Sequence, residues 1–230
     1  MPITKNVTRE QFEALEKANE IIKEVKLVMP YGSGNQLASE PGAWVRTRWA
    51  YEYALPLWKT RRKGLGGIIT EAGNCDQMGA LAYMYARNIF PANYNVRFCS
   101  ITGHAFCCVG KSGWELQKYI VIDPWPIQSK ALLVEDHFVH DRDLKVLREK
   151  SAKPGEIDTS KYTKFVEHET KKIAERWNKL TANEKYKIEP KYNQQHAYRV
   201  DDSNNPIEVT YQVGRSTGLM GRLKSILWGS

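Results

Sequence analysis

The sequence predicts an α+β domain in which one helix packs on an antiparallel β-sheet with further helices around it. Two observations predict this. Asp76 to Arg87 is rich in Ala, Met, Leu and Tyr, and places Met78, Leu81, Ala82 and Tyr85 at helical spacing. Three short apolar runs then follow within thirty residues, Val96 to Ile101, Ala105 to Val109 and Leu116 to Ile122, each bounded by turn formers.

Taken in order, Thr8 to Val28 reads as an amphipathic helix. Thr8 and Gln11 form a capping box, and Phe12, Leu15, Ile22 and Val25 make an apolar stripe. The stretch from Pro30 to Asn35 is a loop. Pro41 to Lys59 reads as a helix with Pro41 in its first turn and Pro56 kinking or ending it. Arg61 to Glu71 carries Gly64, Gly66 and Gly67 and reads as a mobile loop leading to Cys75. It lacks the Gly-Lys-Ser/Thr ending of a phosphate loop. Gly110 to Gly113 is a hairpin turn between the second and third strands. Asp141 to Lys150 reads as a short charged helix, Tyr162 to Leu180 as a long one, and Thr181 to Asn205 as a polar surface excursion. Ile207 to Val213 alternates like a strand, and Thr217 to Trp228 is a basic amphipathic helix.

Three residues stand at element ends where chemistry is usually mounted. Cys75 opens a helix after Gly73-Asn74, and a thiol there feels the positive end of the macrodipole, which favours the attacking thiolate. The free N–H groups of that first turn could also hold a developing oxyanion. His104 follows the Thr102-Gly103 break. Asp123 ends a buried strand before Pro124, and an acid so placed needs a partner because an unpaired buried charge is costly. Antiparallel pairing of the last two strands would bring His104 and Asp123 to the same end of the sheet, as a base and its orienter require. Any one of the three has a plainer structural reading. Their order and placement together point to a thiol nucleophile, a base and an orienter. Trp49 and Trp58 are candidates for an oxyanion donor upstream of the thiol.

Gly73-Asn74-Cys75, Gly103-His104-Ala105, Trp114 and Asp123-Pro124 together resemble the core of the transglutaminase-like superfamily, a branch of the papain-like cysteine enzymes. The resemblance spans about fifty residues of the 230. Phe106 departs from it, a Trp being more usual there. It implies a papain-like core with Cys75 as nucleophile, His104 as base and Asp123 as orienter, with no cofactor and no metal. Proteases, deamidases, transglutaminases and amide-cleaving glycanases share this motif. The reading favoured is glutamine deamidation or transamidation of a protein substrate, with peptide-bond cleavage as the alternative. A non-catalytic binding module on the same fold is the rival from another class. A small-molecule N-acyltransferase fits less well, because Glu71-Ala72-Gly73-Asn74 stands where such enzymes carry Arg-Gly-Gly.

Composition bounds the rest. A chain of 230 residues with seven tryptophans is read as one domain: a core over residues 40–135, a helical N-terminal segment 1–39 and C-terminal additions 136–230. Four cysteines without regular spacing make no disulfide framework, and adjacent Cys107 and Cys108 would face opposite sides of a strand. Cys99, Cys107 and Cys108 are expected to be buried small hydrophobes. His137 and His140, three apart, would seed a metal site only with further ligands, and none is evident. The net charge of +8 brings no nucleic-acid module with it, and the basic run Lys59 to Lys63 reads as a solvated loop. There is neither an ordinary signal peptide nor an apolar run of membrane-spanning length. The expected location is therefore cytoplasmic, or a target cell reached through a dedicated secretion machine, as for the bacterial effectors among small members of the resembled group. The C-terminal amphipathic helix is expected to pack on the fold rather than on a membrane.

Overall fold

The computed structural model describes residues 2–54, 60–155, 160–187 and 192–214. Along the chain these form β1 (Ile3–Val7), α1 (Arg9–Val28), α2 (Ala43–Ala54), α3 (Thr60–Thr70), α4 (Cys75–Ile89), β2 (Tyr94–Ile101), β3 (His104–Lys111), β4 (Ile120–Ile122), β5 (Leu132–Leu133), β6 (Lys145–Ser151), α5 (Ser160–Asn178), α6 (Ala182–Lys185) and β7 (Val209–Val213). Five strands make an antiparallel sheet in the order β5-β4-β3-β2-β6, and β1 pairs with β7 in a separate parallel ribbon. The architecture is α+β and is compatible with a papain-like core.

Helix α4 lies on this sheet because the sequence removes the side chain that would hold it off. A Cβ at Gly79 would sit 2.9 Å from Cα of Phe106 on β3. The main core fills the space between α1, α4 and the sheet, with Ile21, Leu81, Val96, Val109, Ile120 and Ile122 fully buried. A second cluster covers the other sheet face around Phe106, Cys108, Val121 and Val139. Cys107 belongs to the first cluster and Cys108 to the second, as strand alternation requires. All four cysteines are free thiols. Helix α1 starts where its capping box places it: the Gln11 N–H donates to Thr8 Oγ1 at 3.1 Å, and the Thr8 N–H donates to Gln11 Oε1 at 3.2 Å.

Three expectations are corrected. The glycine-rich stretch from Arg61 to Glu71 is mostly helix α3, not a loop. Its glycines are contact points: Gly66 lies against the Ala50 carbonyl of α2, and Gly64 against the Leu81 backbone of α4. The charged stretch from Asp141 to Lys150 is not helical. Its second half is strand β6, which pairs with the otherwise open edge of β2 through a register shift between Phe98 and Cys99. The run from Leu116 to Ile122 is strand only at Ile120–Ile122, because Leu116–Lys118 forms a 3-10 turn.

The Pro41 to Lys59 helix is observed as Ala43–Ala54, and 55–59 lie outside the described residues. Trp58 and the C-terminal amphipathic stretch Thr217 to Trp228 lie outside them too. Among the described residues no helix is long and apolar enough to cross a membrane.

Candidate active site

Cys75 is the first residue of α4, and Asn74 precedes it in extended backbone. The Asn74 N–H donates to Gln77 Oε1 at 2.9 Å, so the side chain of the helix's third residue satisfies the entering chain. His104 is the first residue of β3, reached through Thr102-Gly103, where Gly103 has φ +79° and permits the tight reversal. Asp123 follows β4 directly. The register Cys107 to Ile122 between β3 and β4 brings the start of one strand beside the end of the other. His104 Nε2 and Asp123 Oδ2 are 2.7 Å apart. Asp123 Oδ1 accepts the Trp125 N–H at 3.1 Å.

The three residues come together in a nearly closed place. Cys75 is 9%, His104 7% and Asp123 0% exposed. Three aromatic rings enclose the His104 imidazole, with centroids at 4.7 Å for Trp125, 5.3 Å for Phe138 and 5.6 Å for Phe106, the last nearly parallel. Burial alone would lower the pKa of His104. The Asp123 carboxylate overrides it by charge and hydrogen bond, the Cys75 sulfur adds to this, and the imidazole rises to about 10. Burial likewise works to raise the pKa of Asp123, but the His104 partner, His137 and the Trp125 N–H together hold it below its ordinary value. The pair is thus an imidazolium and a carboxylate in an apolar enclosure. His104 Nδ1, the nitrogen left over by Asp123, has no aligned hydrogen-bond partner among the described residues. The sulfur of Cys75 acts on the imidazole without the alignment of a full hydrogen bond.

Further polar residues hold this enclosure in place, and sequence reasoning passed over most of them. The Trp125 indole N–H donates to Ser33 Oγ at 2.9 Å and to Asn35 Oδ1 at 3.0 Å. Gln36 Nε2 donates to the Trp125 carbonyl at 3.3 Å, and Gln36 Oε1 accepts the Gln194 N–H at 3.1 Å. Beside the thiol, Asp76 accepts the Tyr51 hydroxyl and the Lys63 ammonium, both at 2.9 Å. Lys63 is therefore tied into the site rather than solvated. A strap from Tyr192 to Arg199 crosses one side of the site. Its backbone bonds to Asn35, Leu37, Ile127, Gln128, Phe138 and Asp136, and Tyr192 packs edge-on against Trp125. The polar Thr181 to Asn205 excursion is in this part a wall of the site. Its Gln, Asn and Tyr residues carry no apolar period that would have announced it.

Trp49 is not part of the site. It is buried with Ile69 and Ile173, edge-on to Trp177 of α5. His137 and His140 do not act together: His137 is fully buried near Asp123, while His140 is partly exposed beside Asp141. Among the described residues no group of three or more His, Cys, Asp or Glu is placed to hold a metal ion.

No protein-family model matches the chain, and no curated protein matches it. Two solved chains match. One is calcium-bound LapG from Legionella pneumophila, 14% identical, with 74% of this chain and 92% of that one covered and a TM-score of 0.26. A likeness so slight carries no argument, and the α+β assignment rests on the strands and helices described above.

Proposed function

We propose that the chain is a thiol-dependent acyl-transfer enzyme acting on a protein substrate, most simply by deamidating or transamidating glutamine. The observation that carries the reading is the buried 2.7 Å pair of His104 and Asp123 beside the thiol that opens α4. Cys75 attacks the carboxamide carbon, forming a C–S bond, and the first-turn N–H groups of α4 receive the oxyanion. His104, which holds the thiol's proton as imidazolium, delivers it to the departing nitrogen as the C–N bond breaks, and ammonia leaves. Asp123 keeps the ring oriented and its charge compensated. Water or a lysine amine then attacks the thioester, His104 takes the proton of that nucleophile, and the thiol is regenerated. The same steps on a backbone amide would constitute proteolysis.

Alkylation tests the machinery. Iodoacetamide should label Cys75 and spare Cys99, Cys107 and Cys108, which are fully buried. Labelling should fall by about tenfold or more in His104→Ala and Asp123→Asn. A Cys75 no more reactive than an ordinary thiol, and indifferent to both changes, would favour a binding module. The reaction type is then read by mass spectrometry of lysate proteins treated with wild type and Cys75→Ala. A gain of about one mass unit marks deamidation, amine adducts mark transamidation, and fragments mark proteolysis.

A further inference from the structure

Beside Asp123 lies a second imidazole that the proposed chemistry does not use. His137 is 0% exposed, and its Nε2 stands 3.7 Å from Asp123 Oδ2, the same oxygen that pairs with His104. Neither ring nitrogen of His137 has a hydrogen-bond partner among the described residues. Buried polar atoms are satisfied in the great majority of cases, so an imidazole kept here without partners calls for an explanation. Packing alone would be served better by phenylalanine. The ring sits against Phe138 at 4.4 Å and Phe106 at 6.2 Å, in an otherwise apolar cluster.

We infer that His137 is a positioning residue for the Cys75–His104–Asp123 site, aiming its Nε2–H at the Asp123 oxygen that His104 uses and holding that carboxylate in place. The inference rests on the proposed thiol chemistry, in which Asp123 acts through His104. Full burial, joined by repulsion from His104 and His140 and opposed by attraction to Asp123, drops the pKa of His137 to about 3. The ring is therefore neutral wherever the enzyme works, and a neutral imidazole carries one N–H. On Nε2 that hydrogen points at the carboxylate as a donor. On Nδ1 it would leave a lone pair facing a negative oxygen, which is repulsive. Among the described residues the other charged groups that act with Asp123 are His104, paired with it, and Lys26, whose ammonium is occupied by the Pro126 and Ile127 carbonyls at 3.0 and 2.7 Å. The backbone fixes where the ring stands. The His137 N–H bonds to the Leu133 and Val134 carbonyls, and the neighbouring Asp136 is held on the far side by Lys5 and Tyr211.

The test begins with the unmodified protein. Nitrogen-15 NMR of histidine-labelled wild type should show His137 neutral and in the Nε2–H tautomer from about pH 5 to 9. The Nδ1–H tautomer would overturn the inference without any variant. Carbon-13 carboxyl titration then follows Asp123 in His137→Phe and His137→Gln. Loss of the donor in His137→Phe should raise the Asp123 midpoint by about one pH unit, and the carboxamide N–H of His137→Gln should restore much of it. A filler ring would change the melting temperature and leave that midpoint alone. An unmoved midpoint in folded His137→Phe would therefore also overturn the inference. Alkylation of Cys75 separates the two levels of reading. If it depends on Asp123 and not on His137, only the positioning role fails. If it is indifferent to Asp123→Asn, the thiol chemistry fails and the inference with it.

Discussion

Gly79→Ala should damage both stability and thiol chemistry, although alanine is the better helix former. Gly79 lies one helical turn beyond Cys75, on the face of α4 that meets β3. An added Cβ would stand 2.9 Å from Phe106 Cα and 3.1 Å from both Phe106 N and the Ala105 carbonyl oxygen. All three are backbone atoms of the strand that carries His104, so no side chain can swing aside. Ordinary contact begins near 3.4 Å, and α4 and β3 must part by about half an ångström to restore it. Two effects compete. Alanine gains about 1 kcal/mol over glycine in a helix interior. Overpacking a close-packed contact costs about 1–3 kcal/mol. Because the obstruction is backbone on a central strand, the upper part of that range applies, and the net loss is about 1–2 kcal/mol.

The assay is urea unfolding followed by circular dichroism, where the midpoint should fall with the slope unchanged. At this chain length the melting temperature should drop by about 2–8 °C. Cys75 alkylation should slow by about tenfold or more, because the helix that moves carries the sulfur and the strand it leaves carries His104. Gly67→Ala is the control. Its added methyl meets the end of the buried Met29 side chain rather than strand backbone, so Met29 must repack at some cost in stability, but α4 and β3 stay together and alkylation should not change. If Gly79→Ala proves as stable as wild type and its thiol as reactive, α4 does not approach β3 as closely as described, and the placement of Cys75 beside His104 falls with it.

Other perturbations have equally definite signs. Trp125→Phe keeps the ring over His104 but removes the indole donor to Ser33 and Asn35, leaving Ser33 Oγ without that donor and Asn35 Oδ1 with the Ser33 hydroxyl alone; calorimetry should show a loss of about 1–2 kcal/mol. Lys5→Ala strips the cation from Asp136, which is fully buried and keeps Tyr211. Urea unfolding should register about 2 kcal/mol of destabilisation, less than for a wholly buried pair because Lys5 is partly exposed. The His104–Asp123 pair sets a pH dependence. His104 rises in the fold from 6.5 to about 10, so its contribution is complete below about pH 6.5 and fades as pH climbs toward 10. Asp123 is held below its ordinary 3.8, so its contribution is present above that value and lost on further acidification. The stability gap between wild type and His104→Gln, measured by urea titration, should therefore be widest between about pH 4 and 6.5 and should narrow steadily on the alkaline side.

What could be read from the sequence was local, and what could not was set by distant chain. The capping box at Thr8, the start of α4 at Cys75 and the break at Thr102-Gly103 between β2 and β3 are each specified within a few residues, and each stands where its residues place it. Helix α3 defeated the same logic. Gly64, Gly66 and Gly67 punctuate the sequence like a loop, but Gly64 and Gly66 are small because Leu81 and Ala50 come close from other helices, a reason that no local window contains. Strand β6 is exposed along nearly its whole length and has no apolar period. It is a strand because β2 offers an open edge, and Arg97 meets Glu149 across it. Strand β1 pairs with β7 some two hundred residues away and was not foreseen at all. In the site, Cys75, His104 and Asp123 stood out because each ends an element. His137 did not, since its spacing to His140 suggested a ligand pair and only the fold turns it toward Asp123.

The enclosure explains why so much of the chain beyond the sheet converges on one ion pair. An imidazolium and a carboxylate in water attract weakly, and either can turn to solvent instead. Excluding water strengthens their attraction but charges a desolvation penalty for each ion, which an aligned geometry must offset. Trp125, Phe106 and Phe138 exclude the water; the Trp125 N–H and the 2.7 Å contact supply the alignment. Trp125 is itself held through Ser33 and Asn35 from the loop after α1, and Phe138 through the Ala197 carbonyl of the strap. Loosening either support would admit water and let the carboxylate turn away, with Cys75, His104 and Asp123 all unchanged. The loop of Ser33 and Asn35 and the strap from Tyr192 to Arg199 are thus where substitutions far from the sulfur should slow its chemistry while leaving the sheet intact.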